Sequence, residues 1–382
     1  MKSTASNREN GKQQRATARR RANSTAKPGF LRRSRAGAGA QYNYRAALAD
    51  FDLWCQHRAL RRESSADWDQ HLAAYMKFLF LQGDQPWVGR DALYGAAWAH
   101  DLPIESRSDF VLAKRSLKGW EKRCPGETGK PIPFDQLYVI SNHMFVSNGA
   151  VGLEAACANF LAFDCYLRPS ECIELRKQHL TQPRAASDLP WVVTIKPRDE
   201  GTPAKNQEFD CSTAVGGPKR AFVNNIAAAL HRNVEDNGLL FPNLTLGLWE
   251  KLFRDACKAL HILKPQFSPR SLRHGGPSLD KLNNDLDDNE VLRRGRWRSL
   301  DSVRRYGKTG VLAKLLAAMP DGHLVVARDL RLHLVPAMIN ALDEKKVNGK
   351  RSVILEPNAV ALPVSNGGRR VRSKRPSGAG TD

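Results

Sequence analysis

The chain has 382 residues, of which 60 are Lys or Arg and 39 are Asp or Glu, so its formal net charge is +21. A chain this basic favours polyanionic partners. With 41% hydrophobic and 26% charged residues, its composition is that of a globular protein, which excludes disorder throughout. Apolar runs such as residues 73–81 stop at about half the length of a membrane span, so we expect no membrane association.

Most of the net charge lies near the two ends of the chain. Residues 1–40 contain eleven basic residues and one acidic residue, and residues 345–382 contain nine and two. Both segments are rich in small and polar residues and poor in aromatics, so we predict that both are disordered tails. Their Arg clusters are interpreted as nuclear-import signals or DNA-gripping arms, and alternatively as solubilising tails. The expected location is the nucleus in a eukaryote, and otherwise the cytoplasm or nucleoid.

Residues 41–123 are predicted to form a small helical domain. Its helices are expected around 44–54, after an N-cap at Ser65, and at 91–99 and 109–122. The next segment, 124–134, is dense in Pro and Gly, which is typical of a linker.

Residues 135–344 are predicted to form a second domain that is mainly helical. Helices are expected at 135–147, 150–164, 169–178, 221–235 and 246–260, with several short ones between 271 and 342. The β-branched run Trp191–Ile195 predicts a strand, and a second strand is expected around Glu208–Ala214. The predicted fold class is therefore mainly α with a small β-sheet, that is, an α+β domain behind a helical one.

The seven cysteines form no CxxC pair and no Cys/His spacing typical of a zinc site. We therefore expect free thiols in a reducing compartment and no structural metal.

Three segments carry residues suited to phosphate chemistry. Arg168 lies in the sequence LRPSE, and Arg273 lies 105 positions later in SLRHGG. Trp297 and Tyr306 follow in GRWRSLDSVRRY, nine positions apart. Taken singly, Arg168 has an alternative interpretation as a helix cap or as the ion-pair partner of Glu171. The two aromatic residues, Trp297 and Tyr306, could likewise be core residues.

In this order and spacing, the segments resemble the catalytic domain of the tyrosine recombinase, or phage integrase-like, family over roughly residues 135–320. The helical segment 41–123 is similar to the family's core-binding domain in size and position. The resemblance implies that Arg168 and Arg273 are the two catalytic arginines and that Tyr306 is the nucleophile. Trp297 takes a position that is His in many members and Trp in some.

The family's hairpin lysine best matches Lys205, in AKNQEF, and Lys196 is the alternative. At one place the chain departs from the family, because Arg270 stands where a His usually precedes the second arginine. A guanidinium donates hydrogen bonds to phosphate but stays protonated, so it does not act as a base.

These residue types suit cleavage of a phosphodiester. Two guanidinium forks match the equatorial oxygens of a pentacoordinate phosphorus, and a tyrosine can attack to give a 3′-phosphotyrosyl linkage. A lysine on a hairpin can then protonate the expelled 5′ oxygen. This chemistry requires no metal and no other cofactor.

The leading hypothesis is a site-specific recombinase or integrase of a mobile element that acts on double-stranded DNA as a homotetramer on two DNA sites. The segment Gly322–Leu342 is apolar enough to dock into a neighbouring copy or to close its own core. The alternatives are a catalytically weakened or inactive DNA-binding protein derived from such an enzyme, and a type IB-like topoisomerase.

Overall fold

The computed structural model describes residues 36–347 except 103, 105–107, 127–128, 185–188 and 198–209. Most of both predicted tails lies outside the described residues. Among the described residues, the first helix begins at Ala38 and the last ends at Val347, so each extends three residues into a segment predicted as a tail. The bounds of the tails stay predictions.

The chain divides into two compact units, with the boundary between Thr128 and Gly129. This division falls inside the predicted linker, and the domain boundaries themselves stay predictions.

The first unit is helical. Its helices are α1 (Ala38–Gln56), α2 (Ser65–Gln82), α3 (Pro86–His100) and α4 (Val111–Arg123). Phe51, Leu72, Met76, Leu93 and Trp120 are among the residues of its core.

The N-cap of α2 is Ser64 and not Ser65. The Ser64 side chain accepts a hydrogen bond from the Asp67 N–H, and the Asp67 carboxylate accepts one from the Ser64 N–H at 2.8 Å. This reciprocal pair is a capping box, and it requires the acidic residue three positions after the cap. Of two adjacent serines, Ser64 has that partner.

The second unit contains the sheet and the remaining helices. The helices are α5 (Phe134–Ser147), α6 (Gly149–Asp164), α7 (Pro169–Ile173), α8 (Val223–Asn233), α9 (Leu246–Ala259), α10 (Pro269–Leu282), α11 (Asp288–Gly295), α12 (Leu300–Tyr306), α13 (Thr309–Ala317) and α14 (Asp321–Val347). The strands are β1 (Leu180–Thr181), β2 (Val192–Ile195) and β3 (Cys211–Ala214).

The sheet is antiparallel, with the order β1–β2–β3. Val193 pairs with Leu180 on one side and with Thr213 on the other. The predicted fold class, mainly α with a small β-sheet, is confirmed. The sequence did not predict β1, because two residues are too few to show alternation.

The structure corrects the helix predicted over 169–178. Helix α7 ends at Ile173, and a separate 3₁₀ turn follows at Lys177–His179. Between them, Arg176 is extended and forms an antiparallel bridge with Leu239, and Leu175 accepts a hydrogen bond from the Leu240 N–H at 2.8 Å. A tertiary pairing that the local sequence does not encode therefore overrides helical propensity here.

The end of the second unit is also longer and more regular than predicted. A single helix, α14, replaces the last of the short helices expected before residue 342. Val326, Leu330, Leu334 and Met338 are buried in the core of the unit. This helix therefore closes its own core, which is one of the two roles considered for the segment.

Helix α6 lies at the centre of the second unit. All of its residues from Gly152 to Asp164 are buried, which is the pattern of a helix that is covered on every side. The residues that directly follow its C-terminal end, Cys165, Tyr166 and Leu167, are therefore also buried.

Among the described residues, no single helix is long and apolar enough to span a membrane. The pair Leu300–Ala317 and Asp321–Glu344 passes that test only when joined across a bend of 113°. In the same residues, no group of three or more His, Cys, Asp or Glu is placed to hold a metal ion. The seven cysteines are free, and Cys124 alone among them is not fully buried.

Candidate functional site

The first predicted arginine, Arg168, lies just beyond the buried end of α6. Pro169 is the first residue of α7, where its missing N–H costs no hydrogen bond, and it keeps Arg168 extended. Glu171 accepts a hydrogen bond from the Arg168 N–H at 2.8 Å and forms an ion pair with the Arg168 guanidinium. The side chain of Arg168 is 27% exposed, so it stays within reach of a ligand from solvent.

The second predicted arginine, Arg273, is buried on α10. This helix crosses close to the end of α6, and Gly276 permits the approach because a Cβ atom there would lie 2.2 Å from the carbonyl oxygen of Phe163. The Arg273 guanidinium donates to the carbonyl oxygens of Tyr166 and of Gly295, the latter at 3.2 Å, and lies 3.4 Å from Glu171. Glu171 thus joins the two predicted arginines, which are 105 positions apart in sequence.

A third guanidinium, from Arg296, completes what we call the Glu171 cluster: Arg168, Glu171, Arg273 and Arg296. Arg296 lies 3.4 Å from Glu171 and 3.1 Å from the carbonyl oxygen of Tyr166. Burial would raise the pKa of Glu171, but the three guanidiniums outweigh it and lower that pKa. The carboxylate therefore stays ionised.

The aromatic residues lie against this cluster. Trp297 stacks on Tyr306 with their ring centroids 4.7 Å apart and their planes at 9°. His274 also stacks on Tyr306, at 4.6 Å. The Arg273 guanidinium lies 5.5 Å from the Trp297 ring and 5.3 Å from the Tyr306 ring. The structure thus brings Arg168, Arg273, Trp297 and Tyr306 together.

Two buried donors beside Tyr306 have no acceptor among the described residues. They are the Nε–H of Arg273 and the Nε1–H of Trp297. An unpaired buried donor costs free energy on the order of 1–3 kcal/mol, so such groups mark a place for a ligand or a strained site. Here both donors suit an anion.

Ser278, which is fully buried on α10, fixes the backbone that carries Tyr306. Its hydroxyl lies 2.6 Å from the carbonyl oxygen of His274 and 3.0 Å from that of Tyr306, and it accepts the N–H of Lys308 at 2.8 Å. The end of α12 is therefore tied to the helix that supplies Arg273.

His274 follows Arg273 on α10 and is buried. Burial lowers its pKa to about 4, and the positive charges of Lys308 and Arg273 act in the same direction. The imidazole that stacks on Tyr306 is therefore neutral near pH 7.

A second buried network supports the end of α6, and we call it the Asp164 network: Asp164, Tyr166, Arg220, Asp280 and Arg294. Arg220 donates to Asp164 at 2.8 Å and to both oxygens of Asp280, at 2.5 and 2.8 Å. Arg294 donates to Asp164 at 3.0 Å, and the Tyr166 hydroxyl bonds Asp280.

Sequence reasoning missed Arg296 and the whole Asp164 network. It also missed that Glu171 contacts three arginines, Arg168, Arg273 and Arg296. Arg294 and Arg296 stood beside the predicted Trp297 and were a usable signal. Arg220 had none, since it lies far from every motif, and Asp280, seven positions after Arg273 on the same helix, shows its role only through its pairing with Arg220.

Two predicted residues are not joined to the cluster by the structure. Arg270 is exposed at the start of α10, one turn before Arg273. Lys205 falls outside the described residues. Lys196, the alternative to Lys205, forms an ion pair with Glu174.

No protein-family model matches this chain, and no curated protein matches it in sequence. Among the solved structures that are similar to it, three have 14% sequence identity to this chain. One is an XerH site-specific recombinase bound to a palindromic difH substrate, in a post-cleavage complex. The aligned region covers 72% of this chain and 79% of that chain, with a TM-score of 0.47. An XerA recombinase covers 72% and 99%, with a TM-score of 0.35. An XerH recombinase bound to difH before cleavage covers 66% and 70%, with a TM-score of 0.42.

Proposed function

We propose that this protein is a tyrosine recombinase that cuts and rejoins double-stranded DNA through a covalent bond to Tyr306. The observation that carries the proposal is the pair of unpaired buried donors on Arg273 and Trp297, next to the Tyr306 ring. A nucleophile beside anion-binding donors is the arrangement that phosphoryl transfer to a side chain requires.

In the proposed reaction, the reacting phosphate is held by guanidinium groups. Arg273 supplies its free Nε–H from a buried position, and Arg168 reaches the phosphate from its partly exposed position. Trp297 donates its indole N–H to one phosphate oxygen. Fixed donors in a buried place stabilise the charge that develops on the equatorial oxygens more strongly than water does.

The bond changes balance without any further reactant. The Tyr306 phenol oxygen attacks phosphorus and loses its proton to solvent, and the 5′ oxygen leaves with a proton supplied by Lys205. The product is a 3′-phosphotyrosyl linkage, and the reverse attack by a 5′ hydroxyl rejoins the strand. Arg270 stays charged at working pH and acts only as a cation towards DNA.

One helix of the first unit, α4, is basic enough to support a DNA partner. Helix α4 exposes Arg115, Lys118, Lys122 and Arg123 and carries a single acidic residue, Glu121. A basic helix of this kind suits the DNA backbone, whose phosphates supply most of the affinity of such proteins. Because each protomer would cut one strand, exchange between two duplexes requires four copies, and we propose a homotetramer on two DNA sites.

We further propose that the chain serves a mobile element and, in a eukaryote, works in the nucleus. A second candidate function is DNA binding without cleavage. The exposed Arg270 favours it, because a guanidinium there offers the tyrosine no base.

A nicked suicide substrate tests the proposal. Duplexes taken from the DNA that flanks the gene are nicked close to each candidate cleavage site, so that a short fragment is lost on cleavage and rejoining is blocked. We expect the full-length protein to form a covalent adduct that survives denaturation, and Tyr306→Phe to form none.

Tyr42→Phe is the matched control, because Tyr42 is exposed and lies in the other unit. It should trap as much adduct as the wild type. If the wild type binds these duplexes and traps nothing, the protein is a binding protein and the enzyme proposal is wrong.

A further inference from the structure

Arg296 has an unusual backbone for its residue type. It ends α11 in the left-handed region, with φ of 55° and ψ of 43°. A Cβ atom disfavours this region, so glycine is the usual residue there. Ten other described non-glycine residues also have a positive φ, so the conformation alone assigns no function, and the contacts of the Arg296 side chain decide its role.

The side chain of Arg296 is buried and spans the loop between α6 and α7. It donates to the carbonyl oxygen of Cys165 at 3.0 Å and to that of Tyr166 at 3.1 Å. It also lies 3.4 Å from Glu171. Two of these acceptors, the Tyr166 carbonyl and Glu171, are shared with Arg273.

Arg273 does not use all of its hydrogen-bond donors within the protein. Its guanidinium has five N–H donors. Glu171 and the carbonyl oxygens of Tyr166 and Gly295 account for contacts of its two terminal nitrogens, and the Nε–H stays without an acceptor among the described residues. Arg296 binds two of these acceptors as well, the Tyr166 carbonyl oxygen and Glu171.

The Glu171 cluster also carries excess charge. Three guanidiniums and one carboxylate sum to +2, and two of the guanidiniums are buried. Burial and the neighbouring guanidinium of Arg296 lower the pKa of Arg273. A buried excess of positive charge is costly unless an anion compensates it.

A phosphodiester supplies one negative charge, and the pentacoordinate arrangement formed by attack of Tyr306 carries a second. Without Arg296 the cluster would carry +1, which matches the bound phosphate but not this transition state. An interaction that grows in the transition state raises the rate more than it raises affinity.

We infer that Arg296 is a third cation of the reacting-phosphate site, matched to the second charge of the transition state. This inference rests on the proposed function.

The test compares wild type and Arg296→Gln in single-turnover cleavage of two suicide substrates. One has an ordinary scissile phosphodiester, and the other has a methylphosphonate, in which a methyl group replaces one charged oxygen. On the phosphodiester, we expect the variant to cleave at least about tenfold more slowly while it binds DNA within about threefold of wild type. On the methylphosphonate, whose transition state carries one charge less, the two rates should agree within about threefold.

Arg296→Lys, which keeps the charge, is the control and should retain most of the phosphodiester rate. An equal loss on both substrates, or cleavage of the methylphosphonate by neither protein, overturns the inference. Should the Gln variant not fold, Arg296→Gly, which suits the backbone, replaces it. If neither folds, Arg296 serves stability and the inference is wrong. A wild type that cleaves no phosphodiester is a different result, because it contradicts the proposed function itself.

Discussion

The Asp164 network and the Glu171 cluster lie on the two sides of the same turn after α6, and both are built from arginines and carboxylates. The Asp164 network pairs two guanidiniums, of Arg220 and Arg294, with two carboxylates, of Asp164 and Asp280. The Glu171 cluster pairs three guanidiniums with one carboxylate. One is neutral and the other carries +2.

The pKa values of the arginines follow this difference. Burial alone would lower the pKa of Arg220, but its bonds to Asp280 and Asp164 outweigh burial and raise it. In Arg273 burial lowers the pKa, the neighbouring Arg296 lowers it further, and Glu171 does not restore it. The same side chain at similar depth is stabilised in its charged form in one place and destabilised in the other.

Hydrogen bonding separates the two places in the same way. Asp164 accepts from Gly216 and Gly217 as well as from Arg220, so its oxygens are fully used. The Glu171 cluster includes the unpaired Nε–H of Arg273. A balanced, satisfied network stabilises a fold, whereas an unbalanced one with free donors is held in place for a ligand. Three predictions test this distinction, in order of the expected effect on stability.

The largest effect is expected for Arg220→Met. It removes the guanidinium that joins Asp164 to Asp280 and leaves buried carboxylates with reduced compensation. Breaking a buried pair in this way costs about 3–5 kcal/mol of unfolding free energy. Calorimetric melting of the full-length protein should show a large fall in the transition of the second unit.

Arg232→Met is the matched control for this change. Arg232 pairs with Asp343 across α8 and α14, but both side chains are about half exposed. Exposed pairs contribute about 0–1 kcal/mol, so the melting temperature should hardly change. Equal effects of the two substitutions would show that burial of the Asp164 network does not matter.

An intermediate effect is expected from the protonation of His274. Its folded pKa of about 4 lies below the usual value of 6.5. Between these values the unfolded chain binds a proton that the native protein does not, so stability falls as the pH is lowered from 6.5 towards 4. The full loss is on the order of 3 kcal/mol, because a pKa difference of one unit corresponds to about 1.4 kcal/mol.

His274→Gln should reduce this loss, and melting temperatures at pH 7 and pH 5 measure it. The pKa values of His143, His231 and His323 are lowered in the same direction. The difference between wild type and variant is therefore the relevant quantity. Parallel pH curves for the two proteins would mean that neither burial nor the charges of Lys308 and Arg273 lower the pKa of His274 in the folded protein.

The sequence predicted much of the fold because most helices carry local signals. A long apolar run predicts helix α6, and Pro169 with Glu171 in the first turn predicts α7. The strand β2 was predicted from its β-branched residues. The failures, such as the 3₁₀ turn after α7, occur where a distant pairing decides the backbone.

The site was predictable to the extent that its residues carry their own chemistry. Arg168, Arg273, Trp297 and Tyr306 were predicted as site residues from their order and spacing, and the structure places them together, while their catalytic roles stay predictions. The contacts of Arg296 were missed because its acceptors, at 165, 166 and 171, are brought to it by the fold, and sequence spacing does not reveal them. Arg220 was missed for the same reason, since only the fold brings it to Asp164 and Asp280.

The smallest effect on stability is expected for Arg273→Met, although Arg273 is buried as deeply as Arg220. After its removal, Glu171 keeps the guanidiniums of Arg168 and Arg296, and the charge of the cluster falls from +2 to +1. Met fills most of the vacated volume. We therefore expect the unfolding free energy to change by less than about 1 kcal/mol, because relief of excess buried charge offsets the lost hydrogen bonds.

The same variant should lose covalent cleavage by about 100-fold or more, because the loss of one preorganised donor has that effect on a charged transition state. DNA binding should stay within a few-fold of wild type, since many backbone contacts share it. Melting and suicide-substrate trapping on one protein preparation measure both. If Arg273→Met instead melts as early as Arg220→Met, then Arg273 belongs to the scaffold, and charge balance does not separate the part of this protein that holds the fold from the part that awaits a phosphate.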